Sequence, residues 1–133
     1  PATLVASTLR RELFPIRLTR RLNDQVLYDQ PVWKVPIPLD VNGKVIAIID
    51  EIADTGQTLA IAAQSALGFG ALQVVTASLI SHSWAEPAPQ ICSLVTDEFV
   101  IFPWNQHVLE GGNWIPNPEV IAGLKAQGQG SPG

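Results

Sequence analysis

The chain has 133 residues, the size of one domain, and 47% are hydrophobic, with a mean hydropathy of +0.21, which excludes a disordered chain. Charged residues are only 15%, below the roughly one quarter usual in soluble domains, so apolar surface buried in a homodimer or higher homo-oligomer is expected. The net charge is −4 and the pI about 4.9, which opposes nucleic-acid binding, where phosphate neutralisation dominates affinity. Even so, five arginines (Arg10, Arg11, Arg17, Arg20 and Arg21) sit against Glu12 alone in residues 1–21, a basic end suited to a small phosphorylated ligand.

Residues 2–12 carry Leu4, Val5 and Leu9 near helical spacing, followed by Leu13, and predict a helix closed by Pro15. Residues 14–19 read as a short strand, and 20–31 as a polar exposed loop. Residues 32–39 alternate but hold Pro36 and Pro38, which restrict them to an edge or an extended arm. Asp40-Val41-Asn42-Gly43 reads as a turn of hairpin type. Residues 44–50 (KVIAIID) form the continuous apolar run of a buried parallel strand. A helix over 58–67, stopped by Gly68 and Gly70, precedes a second buried strand over 73–81. A proline-containing loop (83–90), short strands at 91–96 and 99–102, and a fraying Gly/Gln/Pro-rich tail (126–133) complete the reading. The fold class is therefore α/β, a mainly parallel sheet flanked by helices within one domain over 1–133.

Several chemistries are excluded or left without support. A single cysteine, Cys92, rules out an intramolecular disulfide or a thiolate zinc site, and its apolar strand suits packing rather than nucleophilic attack. No apolar run approaches the ~20 residues that span a bilayer, so no membrane partner and a cytoplasmic location are expected. Arg10 and Arg11 read as a solvated helix face, and His107 has no partner pattern. Methionine is absent, from which a processed chain or a fragment starting inside a longer protein is expected.

The most informative string is VIAIIDEIADTGQTL, residues 45–59. A buried strand delivers Asp50 and Glu51 to its carboxyl edge, where ligands of open α/β sheets bind. The loop Ala53-Asp54-Thr55-Gly56-Gln57-Thr58 then opens directly into a helix, whose unpaired amides and dipole favour an anion. Gly56 allows close backbone approach, and the Thr55 and Thr58 hydroxyls add donors. An acid pair followed by a Thr N-cap is also ordinary α/β architecture.

As a whole the string resembles the phosphoribosyl pyrophosphate signature of type I phosphoribosyltransferases: apolar strand, two acids, two small or apolar residues, then Asp-Thr-Gly-x-Thr. The resemblance runs over nearly the whole chain in the order of its elements. It implies that Asp50 and Glu51 hold the ribose hydroxyls. It implies that residues Ala53, Asp54, Thr55, Gly56, Gln57 and Thr58 cradle the 5′-phosphate, with Asp54 exchanging a proton with the base. Magnesium on the pyrophosphate and ribose hydroxyls is implied as cofactor, phosphoribosyl pyrophosphate and a purine base as partners, and residues 20–31 as a catalytic lid. The family's first strand and pyrophosphate loop do not occur in this sequence, which departs from the pattern there.

Residues 96–104 (TDEFVIFPW) place Phe99, Phe102 and Trp104 close together, a spacing that suits core packing. The segment also resembles the hood of bacterial and archaeal purine phosphoribosyltransferases, which implies that Phe99 stacks on the purine and Val100 offers its backbone. Asn105 stands where those enzymes commonly have an acid. His82 follows a strand where they carry a lysine for the 6-oxo group, and a donating imidazole there implies a 6-oxopurine. Two other classes remain: a regulator binding the same ligand without turnover, and a receiver-like domain, which Thr55 to Thr58 so soon after the acids oppose.

Overall fold

Helix α1 (Ala2–Leu9) opens the chain, and the computed structural model describes residues 1–23 and 25–128. The helix ends before the expected Pro15 because Arg10 takes the left-handed conformation, φ 51° and ψ 50°. The amides of Arg10 and Arg11 turn back to the carbonyls of Ser7 and Ala6 at 3.3 and 2.9 Å, which satisfies the helix end with backbone alone.

Strand β1 (Arg17–Thr19) is shorter than its apolar pattern suggests. The expected open loop holds an exposed antiparallel pair, β2 (Arg21–Leu22) and β3 (Gln25–Val26), while Asp24 lies outside the described residues. Strand β4 (Val32–Val35) returns antiparallel to β1 and stops before Pro36. A 3-10 turn, Leu39–Val41, then leads to β5 (Val45–Ala53). Because β4 and β5 belong to different sheets, the turn at 40–43 joins two sheets and makes no hairpin. Gly43, at φ 73°, donates its amide to the Gly70 carbonyl at 2.9 Å.

Helix α2 (Gln57–Gly68) carries the chain to β6 (Gln73–Ser81), and β7 (Ile91–Val95) follows. The three strands form a parallel sheet in the order β5-β6-β7, the α/β architecture expected. Leu59, Ala62 and Ala66 share the buried face of α2 and pack with Ile48, Ala53, Val41 and Ile37. Alanines at two of those three positions let the helix approach the sheet closely. Between β6 and β7, Thr76 and Gln90 exchange two hydrogen bonds, amide to side-chain oxygen, at 3.0 and 3.2 Å. Side chains thus continue the ladder where the strand has not yet begun.

The chain divides into two compact units, Pro1–Thr96 and Asp97–Gly133. In the second, residues 99–102 do not form the expected strand: the Phe99 amide donates to Gln127 Oε1 at 2.8 Å, and a 3-10 turn, Pro103–Asn105, follows. Strands β8 (His107–Glu110) and β9 (Asn113–Pro116) pair antiparallel through Gly111 and Gly112, at φ 56° and 83°. Helix α3 (Pro118–Ala126) has Asn117 as its N-cap, accepting from the Glu119 amide at 3.0 Å. Of the expected fraying tail, Ala126 ends α3, Gln127 and Gly128 form a turn, and 129–133 lie outside the described residues. No helix among the described residues is long and apolar enough to cross a membrane.

Gly123 sits inside α3, where glycine is unfavourable by about 1 kcal/mol against alanine. The Phe99 ring explains it, since a Cβ at 123 would run into that ring. Gly123→Ala is therefore expected to destabilise the protein by about 1–2 kcal/mol net in urea unfolding, overpacking outweighing the propensity gain. An unchanged or raised midpoint would remove the packing explanation.

Candidate active site

Side chains alternate along β5, so neighbours 50 and 51 face opposite sides of the sheet. Asp50 lines a cavity of about 140 Å³ together with Arg20, residues 52–56, Thr58 and Leu59. Glu51 and Gln57 are not among the lining residues. The acid pair of the sequence is thus split between two faces, and Asp50 is the member that faces the cavity. Burial pushes the Asp50 carboxyl above the usual carboxylate range, and the charge of Glu51 adds to that effect. The Glu51 amide, donating to Asp50 Oδ1 at 2.8 Å, acts in the opposite direction.

The loop after β5 turns on Gly56, which is buried at φ 84°. A Cβ there would strike the Pro87 carbonyl, so the position requires glycine on two counts. Gly56, not a threonine, is the N-cap of α2, and it makes no side-chain cap. Among the described residues, the amides of Asp54, Thr55, Gly56 and Thr58 find no backbone acceptor, and the Gln57 amide reaches only Thr55 Oγ1, at 3.4 Å. Asp54 and Thr55 are exposed. The result is a group of open N–H donors at a helix start beside a cavity, the arrangement that takes an anionic oxygen.

His82 follows β6 and donates its own amide to the Ala53 carbonyl at 3.1 Å. Its Nδ1 lies 2.8 Å from the Thr96 carbonyl, an atom that only accepts, so Nδ1 carries the hydrogen. In the neutral ring Nε2 is then an acceptor. That corrects the expectation of a neutral imidazole donating to a carbonyl: donation from Nε2 needs the imidazolium. Phe99 and Val100 belong to the second unit, where Phe99 is fixed by Gln127 and Gly123.

Two residues join the site that pattern reading did not single out. Arg20 brings a guanidinium to the cavity, steadied by its Nε donating to the Tyr28 carbonyl at 3.1 Å. A signal existed in the cluster of arginines over residues 1–21, but spacing could not say which one faces the cavity. Trp84 donates its indole N–H to Asp54 Oδ1 at 3.1 Å, and nothing in the sequence pattern marks it.

No group of three or more His, Cys, Asp or Glu side chains able to hold a metal occurs among the described residues. The cavity offers the carboxylates of Asp50 and Asp54. That set suits a magnesium ion that keeps its waters and arrives on substrate phosphates, and it does not suit an all-protein cage.

No protein-family model matches the chain, and no curated protein matches it significantly. A solved structure does: the purine phosphoribosyltransferase from Pyrococcus horikoshii Ot3, with 27% sequence identity and a TM-score of 0.67. The match covers 78% of this chain and 68% of that one. A parallel sheet with Asp50 near the end of β5, the open-amide loop after that strand and this structural match together give the chain the type I phosphoribosyltransferase fold.

Proposed function

We propose that the chain transfers ribose 5-phosphate from phosphoribosyl pyrophosphate to a purine base and releases pyrophosphate. The observation that carries this reading is the open amides of Asp54, Thr55, Gly56 and Thr58 beside Asp50 and Arg20 at one cavity. Those amides, with the Thr55 and Thr58 hydroxyls, take the 5′-phosphate oxygens. Asp50 faces the ribose and stabilises positive charge as the bond from C1 to pyrophosphate breaks and the bond to the base nitrogen forms. Glu51 and Gln57, outside the cavity lining, are given no contact with the substrate in this reading. Asp54 accepts the proton the base nitrogen loses, and Arg20 adds a cation on the anionic side. Magnesium, when bound, supplies neutralisation of the leaving pyrophosphate. Exposed Leu4, Leu9 and Leu72 support a contact between copies of the chain in a homo-oligomer.

The finer reading is a 6-oxopurine, with Phe99 stacking on the ring and Val100 offering its backbone. His82 serves that reading only as an imidazolium, because its Nδ1 hydrogen is committed to Thr96. A lysine donates without that condition, so His82→Lys is expected to raise the preference for hypoxanthine over adenine about tenfold. Competition assays with both bases measure it. Adenine used at least as efficiently as hypoxanthine by both proteins would rule out the 6-oxopurine.

Replacing Asp54 with Asn keeps the side chain's size and removes the proton acceptor. Turnover is expected to fall about 10²–10⁴-fold, with the KM for phosphoribosyl pyrophosphate little changed. Unaffected turnover would remove Asp54 from the chemistry. Ligand binding by the unaltered chain without turnover of any base would identify a regulator.

Asp50 sets function against stability. Its folded carboxyl titrates above the unfolded value, so between the two the folded chain holds more protons and stability falls as pH rises. The destabilisation grows as pH rises through the folded value. Asp50→Asn is therefore expected to raise Tm at pH 7, with the gain fading as pH falls towards about 4, and to lower turnover. A Tm gain independent of pH, or none, would show that burial of the charge is not its source.

A further inference from the structure

The loop after β6 meets the phosphate loop residue by residue. The His82 amide donates to the Ala53 carbonyl at 3.1 Å, Trp84 Nε1 to Asp54 Oδ1 at 3.1 Å, and the Glu86 amide to the Thr55 carbonyl at 3.0 Å. The Pro87 carbonyl lies against Gly56. Four consecutive residues, 53 to 56, are thus each held by the other loop. Three of those contacts are to backbone and set the loop's path. The fourth, from Trp84, is to the Asp54 carboxylate, the one side chain among the four with acid–base chemistry.

We propose that Trp84 is a positioning residue for Asp54, an inference that rests on the reading of Asp54 as proton acceptor. Trp84 is 55% exposed, so burial alone does not fix its ring. Instead the indole stacks on His82, with centroids 4.5 Å apart and planes 18° from parallel. His82 is anchored in turn by its Nδ1 hydrogen bond to Thr96 at 2.8 Å, and the backbone beside it by the Ala85 amide donating to the His82 carbonyl at 3.1 Å. A stiff ring therefore presents one N–H at a fixed place. An exposed carboxylate on a loop otherwise samples several rotamers. With Oδ1 held by the indole, Oδ2 is the oxygen left for the base, in one orientation. Proton transfer depends steeply on such placement, and displacements near 1 Å cost about 10²-fold.

The test is a double-mutant cycle of Trp84→Phe and Asp54→Asn in the intact protein, with kcat, the KM for phosphoribosyl pyrophosphate and Tm measured for all four forms. Phenylalanine keeps the stack on His82 and removes the N–H. Trp84→Phe is expected to lower kcat about 5–30-fold with KM within about twofold, and to add less than about twofold in the Asp54→Asn background. Equal losses in both backgrounds, an effect on KM alone, unchanged kcat or a protein that fails to fold would each overturn the proposal. A normal Asp54→Asn enzyme instead identifies the failure as that of the Asp54 reading itself. Trp84→Ala, which removes stack and donor together, is expected to lose at least as much kcat as Trp84→Phe and to show the same dependence on Asp54. Loss without that dependence counts against positioning.

Discussion

The parallel register of β5 on β6 is the constraint on which the site depends. Asp50 stands opposite Ser78 and Ala53 opposite Ser81, so the two strands end level. The His82 amide then carries the ladder one step further, to the Ala53 carbonyl. Two loops therefore leave the same edge side by side, which is where ligands of open α/β sheets bind. A one-residue slip would turn Asp50 to the other face and separate Trp84 from Asp54. The close approach of the loops also explains the demand for glycine at 56, where any side chain would displace the Pro87 carbonyl.

The sheet edge brings together groups that are costly to assemble. Asp50 is partly desolvated and next to a second acid in sequence, while the amides of the following loop lack backbone partners among the described residues. Neither feature stabilises the free fold, and both suit an occupant with anionic phosphate and a developing positive centre. The stability comes from elsewhere: the ladder of two nine-residue strands and the small-residue face of α2 packed on Ile48 and Ala53. A rigid scaffold with a rim of unpaired hydrogen-bonding groups is a common physical basis of an active site.

The central elements were legible because their burial is written in composition. Strands with both faces covered read as continuous apolar runs, and β6 was bounded at residues 73 and 81 by that criterion, as found. Helix α2 was marked by its glycines. Failures fell on short elements. The β8–β9 pair left a signal, a Gly-Gly turn between two four-residue strands, but four residues are too few to establish a period; α3 left an Asn-Pro start with Glu119 behind it. Residues 99–102 misled in the opposite sense: the short apolar run read as a strand, whereas the Phe99 amide bonds a glutamine side chain 28 positions away.

What the sequence determined by itself was the order of groups over residues 50–58: acids near the end of a strand, a glycine turn, hydroxyls and a helix start, all set by local backbone geometry. Tertiary structure alone decided which acid faces the cavity, that Arg20 joins it, that the Thr96 carbonyl selects the His82 tautomer, and that the Trp84 indole holds Asp54. The physical reason is distance along the chain. Asp54 and Trp84 are 30 residues apart and His82 and Thr96 are 14 apart, so their contacts follow from strand register and loop packing, which no local spacing encodes.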